Sequence, residues 1–243
     1  MTPREALLAL AVRNNAVWCD TVCRHHDAQG EFRDHAWFTT RPTPPFYPNM
    51  ITLTPGSARL QLELIDEIVG AVGETHDVGV KDSYANLDLA SRGFQPIVEA
   101  QWFALPSPRA TGRPTGVAVV ASDAELTEWE RAWGASSPTT VRMFRQELLS
   151  DDDVCFMAIR EVGVITAGLI ANRSPGAVGI SNFFAQPSRA RDFVRDALAM
   201  IAARYPGLPI VGYAGDSQLT LMLRHGFEAV GPLTVWIRPR GHA

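Results

Sequence analysis

Apolar positions along this 243-residue chain recur with two periods, and the switches between them mark out the elements. Val117 to Ala121 is an apolar run of strand length. Ser122 followed by Glu125 is a capping box, which opens a helix, and Leu126, Trp129 and Trp133 at spacings of three and four give that helix one buried face. Val141, Phe144 and Leu148 predict a second helix, ended by the acidic stretch Ser150 to Asp153. Three strand-like runs follow, VCFMAIRE, VITAGLIAN and AVGISNFFA, separated by Gly163 and by Ser174-Pro175-Gly176. Turns that short join antiparallel neighbours, so the three runs predict a meander. Phe193, Val194, Ala197, Leu198 and Ile201 then define an amphipathic helix that Pro206-Gly207 terminates. A buried strand, PIVGYAG, a helix from Asp216 to His225 closed by Gly226, and a strand ending in LTVWIRP complete the order β, α, α, β, β, β, α, β, α, β.

The first half repeats the tail of this pattern. MITLT reads as a strand, and Ser57 to Val72 as a helix with Leu60, Leu64 and Ile68 inward. Asp82-Ser83, a short helix, Arg92-Gly93-Phe94 and a strand carrying Trp102 match Asp216-Ser217, a helix, His225-Gly226-Phe227 and a strand carrying Trp236. Between the two copies lies LPSPRATGRPTG, residues 105–116, whose prolines and glycines without hydrophobic period read as a linker. The expected division is a degenerate N-terminal copy over 1–104, the linker, and a complete domain over 117–243.

Composition narrows the class. With 46% hydrophobic and 20% charged residues the chain falls among ordinary globular proteins, and a net charge of −4 argues against a dedicated nucleic-acid binder. Arg189, Arg191, Arg195 and Arg204 share a helix, but Asp192 and Asp196 interrupt them. The apolar run near the N-terminus is far shorter than the roughly 20 residues that cross a bilayer, and no small-residue cleavage site follows it. No membrane association and a cytoplasmic location are expected. Three cysteines at sparse positions, Cys19, Cys23 and Cys155, fit a reducing compartment. Cys19, Cys23 and His26 can share a helical face, but no second cluster completes four ligands, so no metal is expected. In RPTPPFYPN, residues 41–49, prolines stiffen a loop carrying Phe46 and Tyr47, which reads either as a core plug or as the wall of an acceptor pocket. Asn14, Trp18 and Tyr47 are the first half's candidates for lining such a pocket.

The element order, the Gly-Phe that ends the last helix, and the stretches GISNFFA, PIVGYAGDSQL and HGFEAVGPLTVWIRP resemble the GNAT superfamily of N-acetyltransferases, in particular tandem GNAT-like proteins of actinobacterial type. The resemblance implies a mixed, mainly antiparallel α/β sheet with helices on both faces, whose fourth and fifth strands splay apart around acetyl-CoA or another acyl-CoA. It places the amide-rich arm of that donor along Ile180, Asn182 and Phe184, and the pyrophosphate at Arg189 and Arg191. The implied reaction is acyl transfer to a small amine.

Two departures from the family pattern bear on chemistry. The pyrophosphate loop of the form Arg/Gln-x-x-Gly-x-Gly/Ala corresponds to Arg189-Ala190-Arg191-Asp192-Phe193-Val194, with both glycine positions filled. A carboxylate and the bulk of Val194 beside a diphosphate predict weak CoA affinity, with an aminoacyl-tRNA or a carrier-protein thioester as other acyl donors. The tyrosine that protonates the leaving thiolate in many members is replaced by Met222, and by Leu89 in the N-terminal copy. Tyr213, on the fifth strand, and Asp216, at the mouth of the next helix, are the substitutes; Tyr213 reads equally as core packing and Asp216 as a helix N-cap. A scaffold that kept its cleft and lost its chemistry is the non-catalytic alternative.

Overall fold

The structure, a computed structural model, describes residues 1–109, 116–135 and 139–241; residues 110–115 of the expected linker lie outside the described residues. Helix α1 (Pro3–Arg24) opens on a capping box in which Thr2 and Glu5 satisfy each other's backbone N–H groups. Strands β1 (Glu31–Phe32), β2 (Ala36–Phe38) and β3 (Met50–Thr52), helix α2 (Ala58–Val72), strand β4 (Val78–Asp82) and strand β5 (Gln95–Leu105) complete the first half. The second half contains β6 (Val117–Val119), α3 (Asp123–Gly134), β7 (Val154–Glu161), β8 (Val164–Ser174), β9 (Ala177–Ala185), α4 (Ala190–Arg204), β10 (Ile210–Ala214), α5 (Asp216–Arg224) and β11 (Glu228–Arg238).

Among the described residues all strands join one 11-stranded sheet in the order β1-β2-β3-β4-β11-β5-β10-β9-β8-β7-β6. The pairs β3/β4 and β9/β10 are parallel, and the rest are antiparallel. Reading outward from the central β11/β5 pair gives the same sequence of pairings on both sides. Yet β5, from the first half, pairs with β10 of the second, while β11 pairs with β4 of the first. Each half therefore completes the other's sheet.

Helices cover both faces. On one, α1 lies over Ala100, Trp102, Val211 and Leu233, and its C-terminal part meets α3 around Trp18, Trp129 and Phe144. On the other, α4 and α5 pack on Met157, Leu169 and Ile210, while α2 packs on Met50, Val78 and Val80. The alternation of β10 shows how the layers divide: Ile210 and Ala214 face α4, whereas Val211 and Tyr213 face α1.

Several expectations need correction. The predicted second helix from Val141 is absent; residues 140–145 form no helix, and only a 3-10 turn, Gln146–Ser150, follows. Phe144 is instead drawn into an aromatic cluster against Trp129, Trp133 and Phe156, and the Glu130 carboxylate takes up the backbone N–H of Met143. Leu60 is exposed, and the inward position beside Leu64 and Ile68 belongs to Gln61, whose amide donates to the carbonyls of His35 and Thr54. Between Asp82 and Gly93 the only helical residues are a 3-10 turn, Ala90–Arg92, because the Asp82 carboxylate caps a local turn through the N–H groups of Tyr84 and Leu87. Gly93 and Gly226 do share a left-handed conformation at the ends of these segments. Trp102 and Trp236 face opposite sides of the sheet, toward α1 and α2 respectively, so they are not equivalent positions. No helix among the described residues is long and apolar enough to cross a membrane.

Candidate active site

Strands β9 and β10 are paired only at Val178/Ile210 and Gly179/Val211, and from Ile180 onward β9 stays paired with β8 while its other edge is open. The divergence has a local cause. The register of β9 against β8 shifts between Gly168 and Ile170, and Asn182 takes a left-handed φ of 52°, which bends the strand away at a bulge. Glycine lets α1 close over the base of the split, since a Cβ on Gly179 would lie 1.9 Å from Asn14 Oδ1. Asn14 itself acts as a fastener, donating to Asn172 O at 3.0 Å and Ser174 Oγ at 2.9 Å.

One residue further along α1, Asn15 turns into the split, where a cavity of about 260 Å³ opens. Its walls come from both halves of the chain: Asn15, Trp18 and Cys19 of α1, Phe46 and Tyr47 of the proline loop, Lys81 of β4, Trp133 of α3, residues 180–183 of β9, Tyr213 of β10 and Gln218 of α5. The proline loop is tied at its base, with Asn49 Nδ2 donating to Arg41 O at 2.9 Å and Thr43 Oγ1 to Tyr47 O at 2.7 Å. Phe46 reaches across it to stand edge-on to Trp133 at 5.6 Å.

The polar centre of the cavity is Lys81, which is 4% exposed. Its Nζ donates to Asn15 Oδ1 at 2.7 Å and to the Tyr213 hydroxyl at 3.2 Å, and lies 4.3 Å from the centre of the Tyr213 ring. Burial works against its charged form; Tyr213 and Cys19, as anions, and the Tyr213 hydrogen bond work for it, and the balance lies above the ordinary lysine value. None of the charges acting on it is a carboxylate. An ordinary phenol and thiol are protonated at neutral pH, so there the ammonium is held by dipoles and a ring face rather than by a counter-ion. Two further hydroxyls on the cavity wall, Tyr47 OH and Ser181 Oγ, are buried without a hydrogen-bond partner. Trp18 lies beside Tyr47 without meeting hydrogen-bond geometry, and burial pushes the Tyr47 phenol well above its usual value. Burial likewise raises the thiols of Cys19 and Cys23, which keeps them protonated.

The structure thus brings Trp18, Tyr47, Ile180, Asn182 and Tyr213 to one cavity. Other residues singled out in the sequence lie elsewhere. Phe184 packs edge-on against Trp129 at 5.2 Å and lines a second cavity, of about 590 Å³, between α3 and the ends of β8 and β9. Asp216 is exposed in the first turn of α5; Gly215 is the N-cap residue, and Asp216 lines a shallow surface depression with Glu99 and Thr234. Met222 is buried in the core beneath α5.

At the start of α4 two of the arginines are already paired. Arg189 occupies the N-cap position without a side-chain cap bond and pairs with Glu161, and Asp192 pairs with Arg195 at 2.8 Å. Arg191 lies near His225, whose pKa is lowered by burial and then by Arg191 and Arg195. Val194 is fully buried in the core under the helix, so its bulk faces the sheet and not the loop, contrary to the steric expectation. The Asp192 carboxylate remains at the positive end of the helix dipole, where an anionic ligand would otherwise be drawn.

Sequence reading missed Lys81 and Asn15. Lys81 carried one signal: it is the single lysine among 22 lysine and arginine residues. Among the described residues no group of His, Cys, Asp and Glu could hold a metal ion.

Neither a protein-family model nor a curated protein sequence matches the chain. Solved structures do. A GCN5-related N-acetyltransferase from Kribbella flavida is 19% identical, with 96% of each chain covered and a TM-score of 0.60. An acetyltransferase-like protein from the GNAT family of Novosphingobium aromaticivorans is 15% identical, with 95% of this chain and 99% of that one covered and a TM-score of 0.60. The N-myristoyltransferase of Saccharomyces cerevisiae, solved with bound myristoyl-CoA, is 10% identical over 77% of this chain and 57% of its own, with a TM-score of 0.53. The fold is that of the GNAT superfamily.

Proposed function

Starting from that GNAT fold, we propose that the protein is an N-acyltransferase that places an acyl group from a thioester or ester onto a small amine in the cavity between β9 and β10. The observation that carries the reading is the Tyr213–Lys81 pair on the cavity floor. An ammonium can only donate hydrogen bonds. With Lys81 donating to the Tyr213 oxygen at 3.2 Å, the phenol's own proton is free to be directed into the cavity. The neutral amine nitrogen attacks the acyl carbonyl carbon, a C–N bond forms, and the bond from that carbon to sulfur in a thioester, or to oxygen in an ester, breaks. Tyr213 gives its proton to the departing sulfur or oxygen and is reprotonated by the proton that the amine nitrogen loses. Tyr213 thereby takes the place of the acid that the family pattern would put at Met222. The exposed Asp216 has no part in this step.

Ile180, Ser181 and Asn182 on the open edge of β9 suit an extended amide-bearing arm, which would pair with the strand edge. The pairing of Arg189 and Arg195 near the α4 start favours a donor other than free acetyl-CoA, with a carrier-protein thioester or an aminoacyl-tRNA in its place. The matching order of elements on either side of the β11/β5 pair supports a tandem origin, with residues 1–104 as a degenerate copy that has exchanged its last strand with the other half. A cytoplasmic location fits the buried, unpaired cysteines.

The test is to incubate the protein with acetyl-CoA, longer acyl-CoA thioesters, acyl carrier thioesters and aminoacyl-tRNA against an amine panel, with mass-spectrometric detection of amides. Amide formation is expected, and Tyr213→Phe should lower kcat about a hundredfold, the scale of losing one general acid. Failure with every donor would leave a binding module instead.

A further inference from the structure

Resting on that acyl-transfer reading, we infer that Lys81 Nζ and Ser181 Oγ receive a carboxylate carried by the amine acceptor, so that the acceptor is an α-amino acid with an aromatic or large apolar side chain.

The donor inventory of Lys81 leads to this assignment. An ammonium has three N–H donors, and Asn15 and Tyr213 use two of them. The remaining one belongs to a 4%-exposed cation on the wall of the cavity, with no carboxylate among the charges that act on it. An anion brought by a ligand would give that third N–H a charged partner, which makes a stronger hydrogen bond than the neutral groups already there. Ser181 Oγ, buried and unpartnered on the same wall, supplies a second donor, and Tyr47 OH a third. No Asp or Glu lines the cavity, so nothing there would repel an anion. Most of the remaining lining is apolar, and beside the amides of Asn182 and Gln218 the rings of Trp18, Phe46, Trp133 and Phe183 form walls suited to a ring or a branched apolar group. The chain places its one lysine here and uses arginine for every other such cation. A compact ammonium fits a space already shared with Asn15 and a tyrosine ring, where a planar guanidinium would not.

The single lysine also makes the inference directly observable. Protein labelled with ¹³Cε-lysine gives one lysine signal, that of Lys81, which reports binding without any turnover. Three probes separate the possible origins of a carboxylate: N-acetylphenylalanine carries it on the amine side, N-acetylphenylalaninamide lacks it, and succinylated phenethylamine carries it on the acyl side. N-acetylphenylalanine should shift the Lys81 signal and bind at least tenfold more tightly than the amide by calorimetry. Lys81→Met should abolish that difference, and Ser181→Ala, a smaller change that leaves the charge in place, should reduce it. Equal affinity for acid and amide, tighter binding of the succinyl compound, or no binding of any probe would overturn the inference. The two readings fail separately. Acylation of phenylalaninamide as readily as phenylalanine would keep acyl transfer and remove the carboxylate site. Lys81-dependent binding of N-acetylphenylalanine without turnover from any donor would keep the carboxylate site and remove acyl transfer.

Discussion

The start of α4 and the floor of the β9/β10 cavity are both places where this fold could receive a negatively charged ligand, and their polar groups are arranged in opposite ways. Around α4, Arg189 faces Glu161 and Arg195 faces Asp192, so two of the three arginines near the helix start already have an anion of the protein's own. In the cavity Lys81 has an amide, a phenol and a ring face, and two hydroxyls nearby have no partner at all. Exposed pairs contribute little to stability, on the order of 0–1 kcal/mol, but they do occupy the donors that would otherwise bind a phosphate. Unsatisfied buried groups destabilise the free protein and are retained where a ligand completes them. The contrast moves attention from the loop that leads into α4 to Lys81 on the cavity floor.

Breaking the contrast at the α4 end should have the largest effect. Val194→Gly removes a fully buried side chain and adds a helix-interior glycine, and should cost about 3 kcal/mol in denaturant unfolding without improving CoA affinity. A tighter Kd from this substitution alone would restore the view that Val194 blocks the diphosphate. At the cavity, Lys81→Met should lower the unfolding free energy by about 1 kcal/mol, the scale of leaving the buried Asn15 Oδ1 without its lysine donor. A gain of stability instead would mean that the ammonium is a burden on the free protein that Asn15 and Tyr213 do not offset. The smallest effect is expected from Asp192→Ala. Removing the carboxylate from the helix dipole should tighten CoA binding roughly two- to fivefold, measured by calorimetry, while Arg195 keeps Asp196 as partner. No change would mean that the dipole is not accessible to the ligand.

Much of the architecture was legible in the sequence because it rests on periodicity. The meander of β7, β8 and β9, the helices α3, α4 and α5, and the glycine stops at Gly93 and Gly226 follow from local pattern and turn chemistry. Phe144 and Leu60 misled because apolar spacing says that a residue belongs on a face without saying whether tertiary contacts will keep the helix. Phe144 found a better aromatic neighbourhood outside one, and Gln61 replaced Leu60 because two loop carbonyls needed its amide. The site was half legible. Trp18 stands out as an aromatic on the first helix, Tyr47 in the proline loop and Tyr213 near a strand end. Asn15 and Lys81 are separated by 66 positions and meet only through the tertiary fold, so no spacing could connect them. Asn14 and Asn15 are adjacent and chemically identical, and only the rotation of α1 decides that one fastens the helix to β8 and the other faces the ligand space.

The central position of β5, between β11 and β10, also sets an order of events during synthesis. When β5 leaves the ribosome its eventual neighbours, β10 on one side and β11 on the other, have not yet been made. The first half therefore emerges with β4 lacking its partner strand, and that edge stays open until residues 228–238 arrive. An unpaired strand edge is a template for misassociation. Lys81, buried and charged on β4, makes that waiting edge poorly suited to pairing with a stray hydrophobic strand.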